Sequence, residues 1–304
     1  ADFRRNFNYY IHTHTSSVSP ALITLHDWKG KQIRVLENNE ALKTKLAEYA
    51  IPAREFFSFT TSEGIGLNGW MIRPSGFDAS RKYPVVMTQY SGPNSQQVTD
   101  SWSVGWNEYL AQEGFAVVCV DPRGTGARGE DFRKVTYMQL GRYESDDMVE
   151  AARYLASLPW VDSRRIAIWG WSYGGFMTAL TMAKGGDLFR AGIAVAPVTN
   201  WRFYDNIYTE RYMRKPEENP QGYDDNSPVT HAGKIKGRLL LVHGSADDNV
   251  HVQNSMTFAE ALVQAGVPFD MAVYTDKNHG IRGGNTTMHL YAKMEEFLKQ
   301  QLLF

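Results

Sequence analysis

From about residue 53 onward, short runs rich in apolar and β-branched residues alternate with stretches whose apolar positions recur every three or four residues. The runs predict strands near 55–60, 67–73, 84–90, 115–121, 165–170, 190–196, 238–243 and 269–275. The periodic stretches predict helices over 102–113, 143–158, 173–184, 251–265 and 286–301. Strands alternating with helices imply a mostly parallel central sheet with helices on both faces, an α/β fold. Upstream, residues 1–36 hold short β-type runs, among them Ala21–Leu25 and Gln32–Leu36, with no room for a core of their own. Glu40 to Tyr49 reads as a helix with Leu42, Leu46 and Tyr49 as its apolar positions. The chain therefore divides into a leading segment, 1–50, and a main domain, 51–304. Trp201 to His231 interrupts the alternation and carries many aromatics and prolines. An insertion there would sit over the strand C-termini, where α/β sheets bind ligands.

Composition narrows the function classes. Apolar residues at 43% and charged residues at 21% support a large core and argue against disorder. Lys and Arg number 32 against 33 Asp and Glu, so no basic excess points to nucleic acid or anionic lipid. The one cysteine, Cys119, lies in the apolar run Phe115–Val120 and reads as a small buried hydrophobe rather than a nucleophile. With no intrachain disulfide possible, the cysteine content does not report the compartment. No apolar stretch reaches 18 residues, so no membrane-spanning helix is expected. The first ten residues carry no signal-peptide core. Strand-like sequence begins almost at once, as in a piece of a longer protein.

The chemistry starts at Gly170-Trp-Ser-Tyr-Gly-Gly175, directly after the apolar run Arg165–Trp169 and before a helical pattern. Strand, G-x-S-x-G and helix together form a nucleophile elbow, the device that raises a serine above an α/β-hydrolase sheet. Side chains two before and two after the serine would collide in so tight a turn, hence Gly170 and Gly174. Ser172 is the candidate nucleophile, and its hydroxyl needs a base that is itself oriented by a carboxylate. In this fold the acid and then the histidine follow the serine along the chain. The run Arg238–Gly244 ends in the loop Ser245-Ala-Asp-Asp-Asn-Val250, where Asp247 is the better acid and Asp248 its rival. The last strand, Phe269–Thr275, leads to Asp276-Lys-Asn-His279-Gly280, and His279 is the one histidine in a loop just after a late strand. A structural or surface role is the default for His12, His14, His26, His231, His243, His251 and His289.

A tetrahedral intermediate needs hydrogen-bond donors where its oxyanion forms. The backbone N–H of Tyr173 supplies one. The loop after Tyr83–Tyr90 lacks an HGGG-type run, so Tyr90 is either a phenolic donor or an aromatic packed at a strand end. Gly124-Thr-Gly-Ala-Arg-Gly129 fits G-x-G-x-x-G, but Pro122 and Arg123 separate it from the strand and polar sequence follows. We read it as a glycine-rich turn with Arg123 and Arg128 free to pair with carboxylates, not as a dinucleotide site. No cofactor and no metal are expected.

The stretches Arg165–Phe176, Gly192–Thr199, Tyr208–Arg214, His243–Val252 and Tyr274–Arg282 resemble the C-terminal catalytic domain of the dipeptidyl peptidase IV branch of the prolyl oligopeptidase family of serine peptidases. The resemblance covers most of residues 80–300 and implies an α/β-hydrolase fold preceded by a remnant of a β-propeller, with residues 1–50 the propeller's end and the crossing segment. It implies Ser172 as nucleophile, Asp247 as acid, His279 as base, and Tyr90 with Tyr173 as oxyanion donors. It also implies a proline pocket of Tyr173, Val198, Trp201, Tyr204, Tyr208 and Val250, with Asn249 donating to the carbonyl before the scissile residue. A flat pyrrolidine ring packs well between aromatic faces. The propeller glutamates that capture the substrate amine in this family are not in this chain, and Asp205 and Glu210, near the inferred pocket, are not assigned that task.

The expected activity is release of N-terminal dipeptides after proline or alanine through an acyl-enzyme. Expected partners are peptides with proline or alanine at the second position, the absent propeller, and a second copy in a homodimer. An extracytoplasmic location is implied by resemblance alone. The rivals are a prolyl tripeptidyl peptidase, a broader esterase or acylaminoacyl peptidase on the same triad, and a non-catalytic module that keeps the fold.

Overall fold

The computed structural model describes all 304 residues, Ala1–Phe304. Strands β1 (Asp2–Phe3), β2 (Tyr9–Ser16), β3 (Ser19–Asp27) and β4 (Gln32–Glu37) pair antiparallel in that order as a separate sheet. Only Pro20 and Thr24 are buried in it, so it has no core, as its short runs predict. An antiparallel four-strand meander is the unit of a propeller blade, consistent with a propeller remnant. Helix α1 (Glu40–Ala47) follows and buries no residue.

The main domain runs β5 (Arg54–Thr60), β6 (Gly66–Ile72), β7 (Tyr83–Thr88), α2 (Trp106–Gln112), β8 (Ala116–Asp121), α3 (Glu130–Lys134), α4 (Arg142–Ser157), β9 (Val161–Trp171), α5 (Tyr173–Gly185), β10 (Ala191–Val195), α6 (Asn206–Met213), α7 (Pro220–Asp225), β11 (Arg238–Gly244), α8 (Gln253–Gln264), β12 (Phe269–Tyr274) and α9 (Thr286–Leu302). Its sheet has the order β12-β11-β10-β9-β7-β8-β6-β5. Pairing is parallel from β12 to β8, then antiparallel for β6 and β5. The central strands β8 and β10 are buried at every position, because helices cover both faces. Alternate residues feed opposite cores. Val85, Val118, Ile168, Ala194 and Leu241 meet α4 and α8 through Met148, Leu155 and Phe258. Val86, Val117, Ala167, Ile193 and Val242 meet α2 and α9 through Leu110, Leu290 and Met294.

The fold departs from the sequence reading in a few places. Helix α2 starts at Trp106, not 102, because the Glu108 side chain accepts the Gly105 N–H at 2.8 Å and fixes the first turn there. Strand β7 stops at Thr88, and the Gln89 side chain turns to donate to Gly174 O at 2.7 Å. The interruption at 201–231 holds two helices, α6 capped by Asp205 and α7 capped by Asn219 with Pro220 behind it. The glycine-rich turn is structural. Arg123 is buried against Asp147, with Nη2 2.7 Å from Oδ1, and reaches Glu63 at 2.9 Å on its outer side. Arg128 does not pair with a carboxylate; it donates to Gly66 O at 2.9 Å. The polar sequence after the turn folds as the short helix α3. Cys119 is buried, and burial pushes its thiol well above the usual range, as befits a core residue.

Candidate active site

Ser172 caps α5 at the end of β9, with φ 61° and ψ −118°, a backbone state that side chains rarely adopt. Tertiary contacts hold it there: Ser172 N–H donates to Val195 O at 2.8 Å. A Cβ on Gly170 would lie 2.5 Å from the carbonyl of Gly174, the collision that the glycine pair predicts. A Cβ on Gly174 would instead strike Gln89 O at 2.5 Å, so the second glycine is also needed for the approach of the loop after β7. The first N–H groups of a helix have no intrahelical acceptor, so the start of α5 beside Ser172 suits a developing oxyanion.

His279 Nδ1 lies 2.7 Å from Asp247 Oδ2. The same carboxylate accepts the N–H groups of Asn249 (3.0 Å) and Val250 (2.9 Å) on Oδ1. Burial alone would raise the Asp247 pKa, but hydrogen bonds from His243 and His279 outweigh it and hold the carboxyl well below the usual range. Asp247 is therefore ionised at neutral pH and selects the His279 tautomer protonated on Nδ1. Asp248 is exposed, and the carboxylate that His279 meets is that of Asp247. The histidine loop is tied to the elbow from the other side, since Trp171 Nε1 donates to His279 O at 2.9 Å. Hydrogen bonding thus joins His279 to Asp247 and to the residue before Ser172, but the Ser172 hydroxyl itself makes no hydrogen bond to His279. Such catalytic bonds are often long in a free enzyme and tighten around substrate.

The aromatic residues of the interrupting segment converge on this point. Tyr173, Val198, Trp201 and Val250 are buried in one cluster, with Tyr204 and Tyr208 packed half-buried against it. Trp201 stacks on Tyr208 with ring centroids 5.8 Å apart, and Tyr204 meets Tyr208 edge-on at 5.3 Å. Tyr204 Oη donates to Asn249 Oδ1 at 2.8 Å, which turns the Asn249 amide N–H groups away and ties the pocket to the acid loop. Tyr90 is 37% exposed, with its ring 6.0 Å from that of Tyr173. Partial burial raises its phenol pKa, so it stays a proton donor at neutral pH. Asp205 is engaged as the α6 cap through Tyr208 N–H at 2.9 Å, and Glu210 lies half-buried on that helix.

Three residues at the site escape sequence reading. Glu144, fully buried, accepts a hydrogen bond from Tyr173 Oη at 2.6 Å and from Gly141 N–H. Burial raises its pKa to about 7 against the pull of those donors. Its only sequence signal is its place three residues after Gly141 at a helix start. His243 contacts Asp247, four residues further along, though its residue type alone reads as structural; Trp171 holds His279, 108 residues away, a contact with no signature in the spacing of the chain.

The prolyl oligopeptidase family matches residues 102–303, more than half of the chain. Prolyl endopeptidase FAP of Mus musculus is 44% identical over 284 residues, covering 91% of this chain and 37% of that protein. Dipeptidyl peptidase 4 of Bos taurus is 42% identical over 284 residues, covering 92% of this chain and 37% of that protein. The crystal structure of Porphyromonas gingivalis dipeptidyl peptidase 4 superposes with a TM-score of 0.96 at 54% identity, over 98% of this chain and 42% of that one. The chain thus spans 37% of the length of these curated relatives. No helix is long and apolar enough to cross a membrane. An elbow serine above a mostly parallel sheet, an acid–histidine pair on later loops and long similarity across both place this chain in the prolyl oligopeptidase family of peptidases.

Proposed function

We propose that this chain is the catalytic part of a serine exopeptidase that releases N-terminal dipeptides after proline or alanine. The observation that carries the proposal is the 2.7 Å bond between His279 Nδ1 and an ionised Asp247, beside an aromatic pocket at the elbow. Ser172 Oγ attacks the scissile carbonyl carbon, and its proton passes to His279 Nε2. Tyr90 Oη and Tyr173 N–H receive the oxyanion. The C–N bond breaks as His279 returns the proton to the leaving amine. Water then repeats the sequence and frees the acid product. The cluster of Tyr173, Val198, Trp201, Tyr204, Tyr208 and Val250 takes the proline ring, and Asn249 donates to the carbonyl of the preceding residue.

Residues outside this chain, on a propeller, would set the product length. A tripeptide-releasing enzyme therefore stays the nearest rival, because it would share this pocket and differ in amine capture. Substrates are peptides with proline or alanine at the second position. The proposal places the protein outside the cytoplasm, with a second copy as a partner in a homodimer and residues 1–50 as the propeller's end and crossing segment.

The test uses the full-length protein. A fluorophosphonate should label one serine, and chromogenic dipeptides ending in proline should be cut faster than those ending in leucine. Labelling that survives Ser172→Ala rejects the nucleophile. Equal rates on proline and leucine favour an esterase instead.

A further inference from the structure

His243 stands at the end of β11, fully buried, between the acid loop and α8. Its Nε2 lies 2.7 Å from Val250 O and 3.2 Å from Asp247 Oδ2. Its Nδ1 lies 2.7 Å from Ser255 Oγ. A carbonyl and an ionised carboxylate can only accept, so the proton of this ring sits on Nε2. Nδ1 is then the acceptor for the Ser255 hydroxyl. Asp247 Oδ2 thus faces two imidazoles of opposite tautomer: it accepts a hydrogen bond from His279 Nδ1–H at 2.7 Å, and His243 Nε2–H stands against it in a 3.2 Å polar contact. With two backbone N–H groups on Oδ1, the carboxylate accepts three hydrogen bonds and touches a fourth N–H, that of His243, and it cannot rotate without disturbing one of them.

We infer that His243 is a positioning residue, which through one forked N–H holds Asp247 toward His279 and Val250 against the aromatic pocket. The inference rests on the proposed triad. The fork joins two tasks. Its Asp247 branch fixes the carboxylate that orients the base. Its Val250 branch fixes the residue that walls the pocket and follows Asn249, which Tyr204 holds. A change at His243 should therefore act on turnover and on substrate affinity together. Ordinary core packing would change neither per folded molecule.

The test compares His243→Leu, His243→Gln and Ser255→Ala in the full-length protein, reading kcat, KM and the thermal midpoint. His243→Leu should lower kcat about 10- to 100-fold, the range of a lost hydrogen bond to a charged group, and raise KM for a proline dipeptide. His243→Gln should recover part of both, because its amide N–H can reach the same acceptors. Ser255→Ala frees the ring without touching Asp247 and should cost kcat only about a few-fold. It answers the question even where His243→Leu does not fold. Wild-type kcat in folded His243→Leu, or equal losses in Leu and Gln, overturns the inference. So does a kcat deficit that only tracks the fraction unfolded, or wild-type kinetics in Ser255→Ala. His279→Ala serves as the control. If it retains activity, the triad itself is wrong; if it is inactive while His243→Leu is not, only the role of His243 falls.

Discussion

Tyr173 Oη donates to Glu144 Oε1 at 2.6 Å, so the residue that follows the elbow serine rests on a carboxyl with no exposure to water. That carboxyl titrates near neutrality. Its pKa rises from 4.5 in the unfolded chain to about 7 in the folded one, mainly through burial. Between those values the folded state binds more protons than the unfolded state, so stability falls as pH rises from about 4.5 to 7 and then levels. The loss is on the order of 3 kcal/mol. Glu144→Gln should flatten the thermal midpoint across that window. A midpoint in the variant that still declines like the wild type would show that another group titrates.

Asp247→Asn should keep the fold and lose about 10⁴ in kcat, because an amide N–H facing His279 selects the wrong imidazole tautomer. Asp248→Asn, at an exposed position, should stay within about threefold of wild type, as surface substitutions usually do. Steady-state rates on a proline dipeptide separate the two. A large loss in the second variant alone would exchange their roles.

Tyr90→Phe removes a phenol O–H and little else, since the side chain is 37% exposed at the mouth of the site. If that O–H meets the oxyanion, kcat should drop about 10²–10³ with KM almost unchanged. Loss of stability with kcat retained would make Tyr90 a packing aromatic.

Gly170→Ala would place a methyl 2.5 Å from the Gly174 backbone, where no flexible side chain can yield. The elbow must then open and move Ser172. We expect a lower thermal midpoint together with loss of fluorophosphonate labelling. Normal labelling would show that the turn has more slack than its geometry implies.

The legible parts of this protein are those encoded by near neighbours in the chain. Apolar runs located β5 to β12, and a period of 3.6 located α2, α4, α5, α8 and α9, because burial within a sheet or along a helix stripe leaves a pattern in neighbouring residues. The elbow is legible for the same reason: Gly170, Ser172 and Gly174 clash or fit within five residues. The short helices α6 and α7 were not, since their side-chain caps and a buried aromatic cluster stabilise them rather than an apolar stripe.

Sequence by itself determined the order of elements, the elbow and the short set of residues able to act as acid and base. It placed Asp247 and Asp248 side by side and could only rank them. Tertiary structure decided which of the two meets His279, by burying the Asp247 carboxylate 2.7 Å from its Nδ1 and leaving Asp248 in water. It also supplied partners with no local signature: Glu144 beneath Tyr173 and Trp171 against the His279 backbone. The physical reason is range. Steric and periodic constraints act along the chain and leave a pattern there, whereas hydrogen bonds and desolvation act across space between residues that the chain does not bring together until it folds.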